Sequence, residues 1–207
     1  SSAASDVYKR QDLGHGRGGH PHPDRRSDPA GPEARPLIFR WRTWNRKRTI
    51  RSMKELFRSE NLVARVAACE DTSRWVVTFD NYSIGHGFDR EGFGEAYLRS
   101  QGISAIHIMG RREDWYQYPE MPDVLAAVRE AISSAARSIT YGSSMGGYAA
   151  LRFADGLNVD AALALSPQYS INPALVPFEK RWLQDAERIH WLPEGEPSLP
   201  SLSLIHI

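Results

Sequence analysis

The sequence predicts an α/β domain built on a mostly parallel sheet, and three observations lead to that fold class. Apolar runs of strand length alternate with amphipathic runs of helix length between Leu62 and Leu165. The run Ile103–Met109 is apolar at both odd and even positions, which is typical of a strand buried on both faces. A glycine-rich turn at 142–147 then joins a strand pattern to a helix pattern. Strands and helices that alternate in this way are joined by right-handed crossovers, which make the strands parallel.

The predicted elements follow one another along the chain. Thr49–Ser59 carries apolar side chains at helical spacing and predicts a short amphipathic helix. The later elements are strands at Leu62–Ala68 and Trp75–Phe79, a helix at Phe93–Gln101 capped by Gly102, a strand at Ile103–Met109, a helix at Asp123–Ala136, a strand at Ser138–Tyr141, a helix at Met145–Ala154 and a strand at Val159–Leu165. In such sheets the functional residues collect in loops at the carboxyl ends of the strands.

Composition excludes some classes of function. The 207 residues include 41% hydrophobic residues, and 26 Lys and Arg nearly balance 25 Asp and Glu, so overall charge gives no reason to expect a nucleic-acid partner. Basic residues are concentrated between Arg35 and Arg58, where they form either a solvated surface or a contact for phosphate or an anionic membrane. The single cysteine, Cys69, excludes an intramolecular disulfide and is expected in the core.

Both ends of the chain have sequences that are not typical of a folded domain. Residues 1–11 and roughly 201–207 resemble translated sequencing adapters, and residues 12–36 are rich in Gly, Pro, Arg and His. We therefore expect a non-native, disordered segment at 1–36, a partial α/β domain at 37–195 and a non-native tail at 196–207. No run approaches the roughly 18 apolar residues of a membrane span and no secretory signal is recognisable, so we expect a cytoplasmic protein.

The sequence Gly142-Ser143-Ser144-Met145-Gly146 lies between a predicted strand and a predicted helix. Glycines two residues before and two after Ser144 allow a tight turn that holds the serine strained, with its hydroxyl exposed at a helix N-terminus. This arrangement resembles the nucleophile elbow of the α/β-hydrolase superfamily. The resemblance implies a three-layer, α/β-hydrolase-like, mostly parallel sheet with Ser144 as the nucleophile. Two alternatives remain: Ser144 only caps the helix, or Ser143 is the nucleophile.

The same resemblance implies an oxyanion hole built from two backbone donors. One is the N–H of Met145, the residue after the nucleophile. The other comes from the loop after Trp75–Phe79, where Asn81 and Tyr82 are the candidates.

In the superfamily an acid and then a histidine follow the serine, each after a later strand. One clear strand follows Ser144, so we expect the sheet to be incomplete at the C-terminus and both residues to lie beyond the end of the chain. Asp185 and His190 have the right order, but they share one polar, helical stretch and are predicted to be surface residues. His107, in the middle of a strand, is predicted to be a packed core histidine. We assign no acid or base.

Three further residues are expected at the same sheet edge as Ser144. Trp115 and Tyr116 follow the strand that ends at Met109, and Gln168 follows the strand that ends at Leu165. They either line a substrate pocket or pack their loops against the sheet.

Together these features predict an esterase-like serine hydrolase that acts on an ester-like bond of a small-molecule or acyl-bearing substrate through a Ser144 acyl-enzyme. The alternatives are an acyltransferase of the same fold and a non-catalytic interaction domain. No cofactor or metal is implied, and the sequence does not indicate an oligomeric state. Without an acid and a base, these 207 residues by themselves are expected to be inactive.

Overall fold

A computed structural model describes residues 52–192 of the chain. The predictions for segments 1–36 and 196–207 lie outside the described residues. The elements are β1 (Ser52–Arg58), β2 (Leu62–Ala68), β3 (Arg74–Phe79), α1 (Glu95–Gln101), β4 (Ser104–Gly110), α2 (Met121–Ala131), β5 (Arg137–Ser143), α3 (Met145–Arg152), α4 (Ala154–Leu157), β6 (Ala161–Leu165) and α5 (Leu183–Arg188). None of these helices is long and apolar enough to cross a membrane.

The six strands form one sheet in the order β1-β2-β4-β3-β5-β6. The pairs β3–β4, β3–β5 and β5–β6 are parallel, whereas β1 and β2 join antiparallel at one side. The predicted parallel pairing of the last strand is confirmed, with Ile139 opposite Ala161. Because the four parallel strands run the same way, the loops after β3, β4, β5 and β6 all emerge at one edge.

Helices cover both faces of the sheet, so the domain has three layers. Alternate residues of a strand point to opposite faces. On one face Val77 and Ile106 pack in the main core with residues of α2 and α3. On the other face Val76 and Ala105 pack against Leu98 of α1. All seven residues of β4 are buried, which confirms the prediction of a strand covered on both faces.

Most element predictions are confirmed within a few residues. Gly102 ends α1 in the left-handed conformation, at φ 64°, as predicted for a glycine cap. The helix predicted at Met145–Ala154 is divided, because Phe153 has a non-helical backbone between α3 and α4. Cys69 is buried, as predicted for a core residue.

The amphipathic helix predicted at Thr49–Ser59 is wrong, because the described part of that segment is the edge strand β1. A bulge between Glu55 and Phe57 shifts the register against β2. The bulge lets two consecutive apolar side chains, Leu56 and Phe57, both pack against the core. Two adjacent apolar positions break strand alternation in the sequence and imitate the spacing of a helix face.

Candidate active site

Ser144 lies in the sharp turn from β5 into α3, with φ 52° and ψ −118°. L-residues rarely adopt a positive φ, so this backbone is strained. Two hydrogen bonds hold it: the Ser144 N–H donates to the carbonyl of Leu165 at 2.9 Å, and the Ser144 carbonyl accepts from Tyr148 N–H at 2.9 Å. The strand β6 and the first turn of α3 therefore fix the serine from both sides.

The two glycines that flank Ser144 are required by contact with backbone. A Cβ on Gly142 would lie 2.1 Å from the carbonyl oxygen of Gly146. A Cβ on Gly146 would lie 2.3 Å from the carbonyl oxygen of Phe79 and 2.7 Å from that of Asp80. Neither position has room for a side chain, because backbone cannot move aside as a flexible side chain can. The turn is thus packed against itself and against the end of β3.

The Ser144 hydroxyl is directed to the loop after β6. Its Oγ donates to Oε1 of Gln168 over 3.4 Å, a long hydrogen bond between two half-buried residues. Ser143, by contrast, is the last residue of β5, where it pairs with Leu165 in the sheet. Of the two serines, Ser144 alone has the strained turn conformation.

The N–H of Met145 belongs to the first residue of α3, and the residue is buried. N–H groups in the first turn of a helix have no partner within the helix, and the helix dipole there favours negative charge. This N–H is one candidate donor to an oxyanion beside Ser144.

The loop after β3 adjoins the turn, because Gly146 packs against the carbonyls of Phe79 and Asp80. Asn81 donates its side-chain amide to the carbonyl of Tyr82 at 2.7 Å. The Tyr82 hydroxyl donates to Asp185 Oδ1 at 3.2 Å, and its ring lies 4.8 Å from that of Trp182. Burial and the charge of Asp185 raise the pKa of Tyr82, which keeps the phenol protonated. Both side chains are engaged elsewhere, and it is the backbone at the start of this loop that adjoins the turn.

Asp80, which sequence reasoning missed, is the first residue of this loop and is 2% exposed. Its carboxylate accepts from Arg90 Nη2 at 2.7 Å and from the backbone N–H of Phe93 at 3.3 Å. Burial raises the pKa of Asp80, and the guanidinium of Arg90 opposes that rise. An aspartate directly after a buried strand, with an arginine ten residues later, was the available signal.

Trp115 and Tyr116 lie in the core, 1% and 2% exposed. Trp115 packs edge-on to Tyr148 and Trp182, with ring centroids 5.8 and 5.6 Å apart. Tyr116 packs edge-on to Phe79 at 5.2 Å. Their burial favours the packing role over the pocket role for both rings. Of the three residues expected at this edge, Gln168 is the one that reaches Ser144.

The prediction that Asp185 is a surface residue is wrong. It is 8% exposed, because Tyr82 and Arg188 hydrogen-bond to its carboxylate and cover it. His190 is exposed, as predicted. Within residues 52–192, no hydrogen bond joins a histidine to Ser144.

His107 is a core histidine, as predicted, on the face of the sheet that α1 covers. Its Nδ1 lies 2.6 Å from Thr78 Oγ1 on the neighbouring strand. Burial lowers the pKa of His107 to about 4; Glu95 and Glu91 oppose the shift and Arg99 adds to it. The ring is therefore neutral at pH 7.

No protein-family model matches the chain, and no curated protein matches it. Among solved structures, the capsule O-acetyltransferase of Neisseria meningitidis serogroup A is similar at 14% identity and a TM-score of 0.48, over 67% of this chain and 61% of that one. This chain therefore spans about three-fifths of that enzyme's length.

Two further solved structures are similar. The S-formylglutathione hydrolase of Staphylococcus aureus has 17% identity and a TM-score of 0.44, over 69% of this chain and 68% of that one. An alpha/beta hydrolase enzyme from a Medee basin deep-sea metagenome library has 16% identity and a TM-score of 0.39, over 56% of this chain and 57% of that one.

Proposed function

We propose that this chain carries the nucleophile and the oxyanion hole of an α/β-hydrolase-type serine hydrolase that acts on an ester-like bond. One observation carries the proposal: Ser144 has φ 52° in a strand-to-helix turn whose flanking glycines, Gly142 and Gly146, have no room for a Cβ. A serine that only caps a helix does not require a strained backbone, since N-cap residues ordinarily adopt extended dihedral angles.

In the proposed reaction Ser144 Oγ attacks the carbonyl carbon of the substrate, and the hydroxyl proton passes to a general base. The carbonyl oxygen becomes an oxyanion that accepts hydrogen bonds from the N–H of Met145 and from a backbone N–H of Asn81 or Tyr82. The tetrahedral intermediate collapses, the alcohol leaves with a proton, and the acyl group remains on Ser144. Water then attacks this ester and releases the acid. We assign the general base to none of the described residues.

The test is covalent labelling, with a fluorophosphonate probe, of the purified protein expressed from its complete gene. Mass spectrometry then identifies the modified residue. Wild type is expected to be labelled at Ser144, Ser144→Ala not at all, and the matched variant Ser143→Ala at a reduced but measurable level. Equal labelling of wild type and Ser144→Ala would refute the assignment. A folded wild type that is never labelled would favour a non-catalytic interaction domain.

Hydrolysis and acyl transfer differ only in the acceptor of the second step. Turnover of a short-chain p-nitrophenyl ester, with and without an added alcohol, separates them. A hydrolase releases the acid in both cases. An acyltransferase forms mainly the new ester when the alcohol is present.

A further inference from the structure

We propose that Tyr116 is a positioning residue whose hydroxyl holds the loop after β3 in the place where its backbone can bind the oxyanion. The inference rests on the proposed function, and it gives a role to a side chain that no substrate can reach. Tyr116 acts through Asp80, the first residue of that loop.

The Tyr116 hydroxyl joins two backbone segments. It accepts a hydrogen bond from the Asp80 N–H at 2.5 Å and donates one to the carbonyl of Ile108 at 3.0 Å. Ile108 lies in β4, the fully buried strand beside β3. Burial raises the pKa of Tyr116 well above its ordinary value, so the hydroxyl keeps the proton that it donates. The loop is thereby tied to a strand that is buried along its whole length.

Asp80 transmits this constraint to the turn that carries Ser144. Its carboxylate is held by Arg90 and by the N–H of Phe93, while its carbonyl oxygen lies against Gly146. Its N–H and its carboxylate are therefore held by two different loops, and its carbonyl adjoins the turn. Asn81 follows directly, so the direction of the next N–H groups depends on where Asp80 is held.

The backbone at Tyr116 is itself unusual. Trp115 and Tyr116 are consecutive L-residues with φ 52° and 57°. Strain of this kind persists only where the surrounding structure enforces it, and it is concentrated at functional sites. This turn directs both aromatic rings into the core, and it brings the hydroxyl of Tyr116 to Asp80.

Tyr118 provides a matched control two residues away. It is also buried, at 4% exposure, and its hydroxyl donates to the carbonyl of Arg112 at 2.8 Å. Replacing either tyrosine with phenylalanine removes one buried hydroxyl and its hydrogen bonding to backbone. Of these two hydroxyls, that of Tyr116 bonds to the loop beside Ser144, whereas that of Tyr118 bonds to Arg112.

The experiment compares wild type, Tyr116→Phe and Tyr118→Phe, each expressed from the complete gene. We expect Tyr116→Phe to lower both kcat for p-nitrophenyl ester hydrolysis and the rate of fluorophosphonate labelling about 10- to 100-fold. The reason is that displacing a catalytic group by about 1 Å can lower the rate up to about 100-fold. KM should change little, since no substrate contact is lost. Tyr118→Phe should stay within about threefold of wild type in both rates. Equal losses in the two variants would overturn the inference.

Hydrogen exchange separates this inference from the proposed function. Tyr116→Phe should raise amide exchange at Asp80, whose N–H loses its acceptor, at least about tenfold, and Tyr118→Phe should not, whether or not Ser144 proves to be the nucleophile. Unchanged protection there would overturn the positioning role. The wild type supplies a measurement that needs no variant: the Asp80 amide, which donates to the buried Tyr116 hydroxyl, should be protected from exchange, and an unprotected Asp80 amide would overturn the inference. If Tyr116→Phe does not fold, Tyr116 serves stability and the inference is wrong.

Discussion

Replacing Ser144 with glycine is expected to make the protein more stable than replacing it with alanine. Both substitutions remove the hydroxyl and its long hydrogen bond to Gln168, so their difference isolates the backbone. At φ 52° and ψ −118° an alanine retains the strain of the native serine, whereas a glycine does not. The nucleophile is therefore held at a cost in stability that glycine relieves.

The magnitude follows from two opposing contributions. An L-residue in a sparsely populated backbone region costs about 1–3 kcal/mol. Glycine loses more conformational freedom on folding than alanine, which costs about 0.5–1 kcal/mol. The difference leaves Ser144→Gly more stable than Ser144→Ala by about 1 kcal/mol, which for a domain of this size is a rise of about 2–4 °C in Tm.

Urea unfolding followed by circular dichroism measures the difference, and Ser143 supplies the control. Ser143 ends β5 and does not have a positive φ. There the order of stability should reverse, with Ser143→Gly less stable than Ser143→Ala by about 0.5–1 kcal/mol. If Ser144→Gly were no more stable than Ser144→Ala, the turn would not be strained in solution, and the argument for a nucleophile elbow would fail.

Three further predictions follow from packing, burial and exposure. Gly146→Ala should lower the free energy of unfolding by at least about 3 kcal/mol in urea titrations, because the added Cβ meets backbone. The control Gly156→Ala, whose Cβ meets only a side chain at 3.7 Å, should change it by less than about 1 kcal/mol, and equal effects of the two would contradict the contact at Gly146. The pKa of His107 is about 4 in the folded state against 6.5 unfolded, so its contribution to stability should be full above pH 6.5 and fall by about 3 kcal/mol as the pH drops to 4. His107→Gln should therefore lose less stability than wild type between pH 7 and pH 4, and an identical pH dependence would contradict the burial of His107. Leu163 and Leu165 on the end strand β6 are 41% and 37% exposed, so replacing both with threonine should reduce self-association in sedimentation velocity. An unchanged distribution of sedimentation coefficients would contradict a role of this exposed surface in association.

Local signals explain why much of the fold could be predicted from sequence. The strand at Ile103–Met109 and the turn around Ser144 are encoded by residues next to one another, through apolar periodicity and paired glycines. The exception is β1, where the bulge at Leu56 and Phe57 arises from pairing with β2 and leaves a local pattern that resembles a helix. Periodicity cannot report a partner strand, so this segment was assigned wrongly.

The candidate site divides in the same way between sequence and tertiary structure. The sequence by itself predicted Ser144 in a strand-to-helix turn, the two glycines that flank it and the edge of the sheet at which they lie. The tertiary structure alone brought Tyr116 to Asp80, across 36 residues, and Tyr82 to Asp185, across 103 residues. A buried polar group must find a hydrogen-bonding partner, but its type and position in the chain do not say which one. That choice depends on how strands and loops distant in sequence pack at one edge of the sheet.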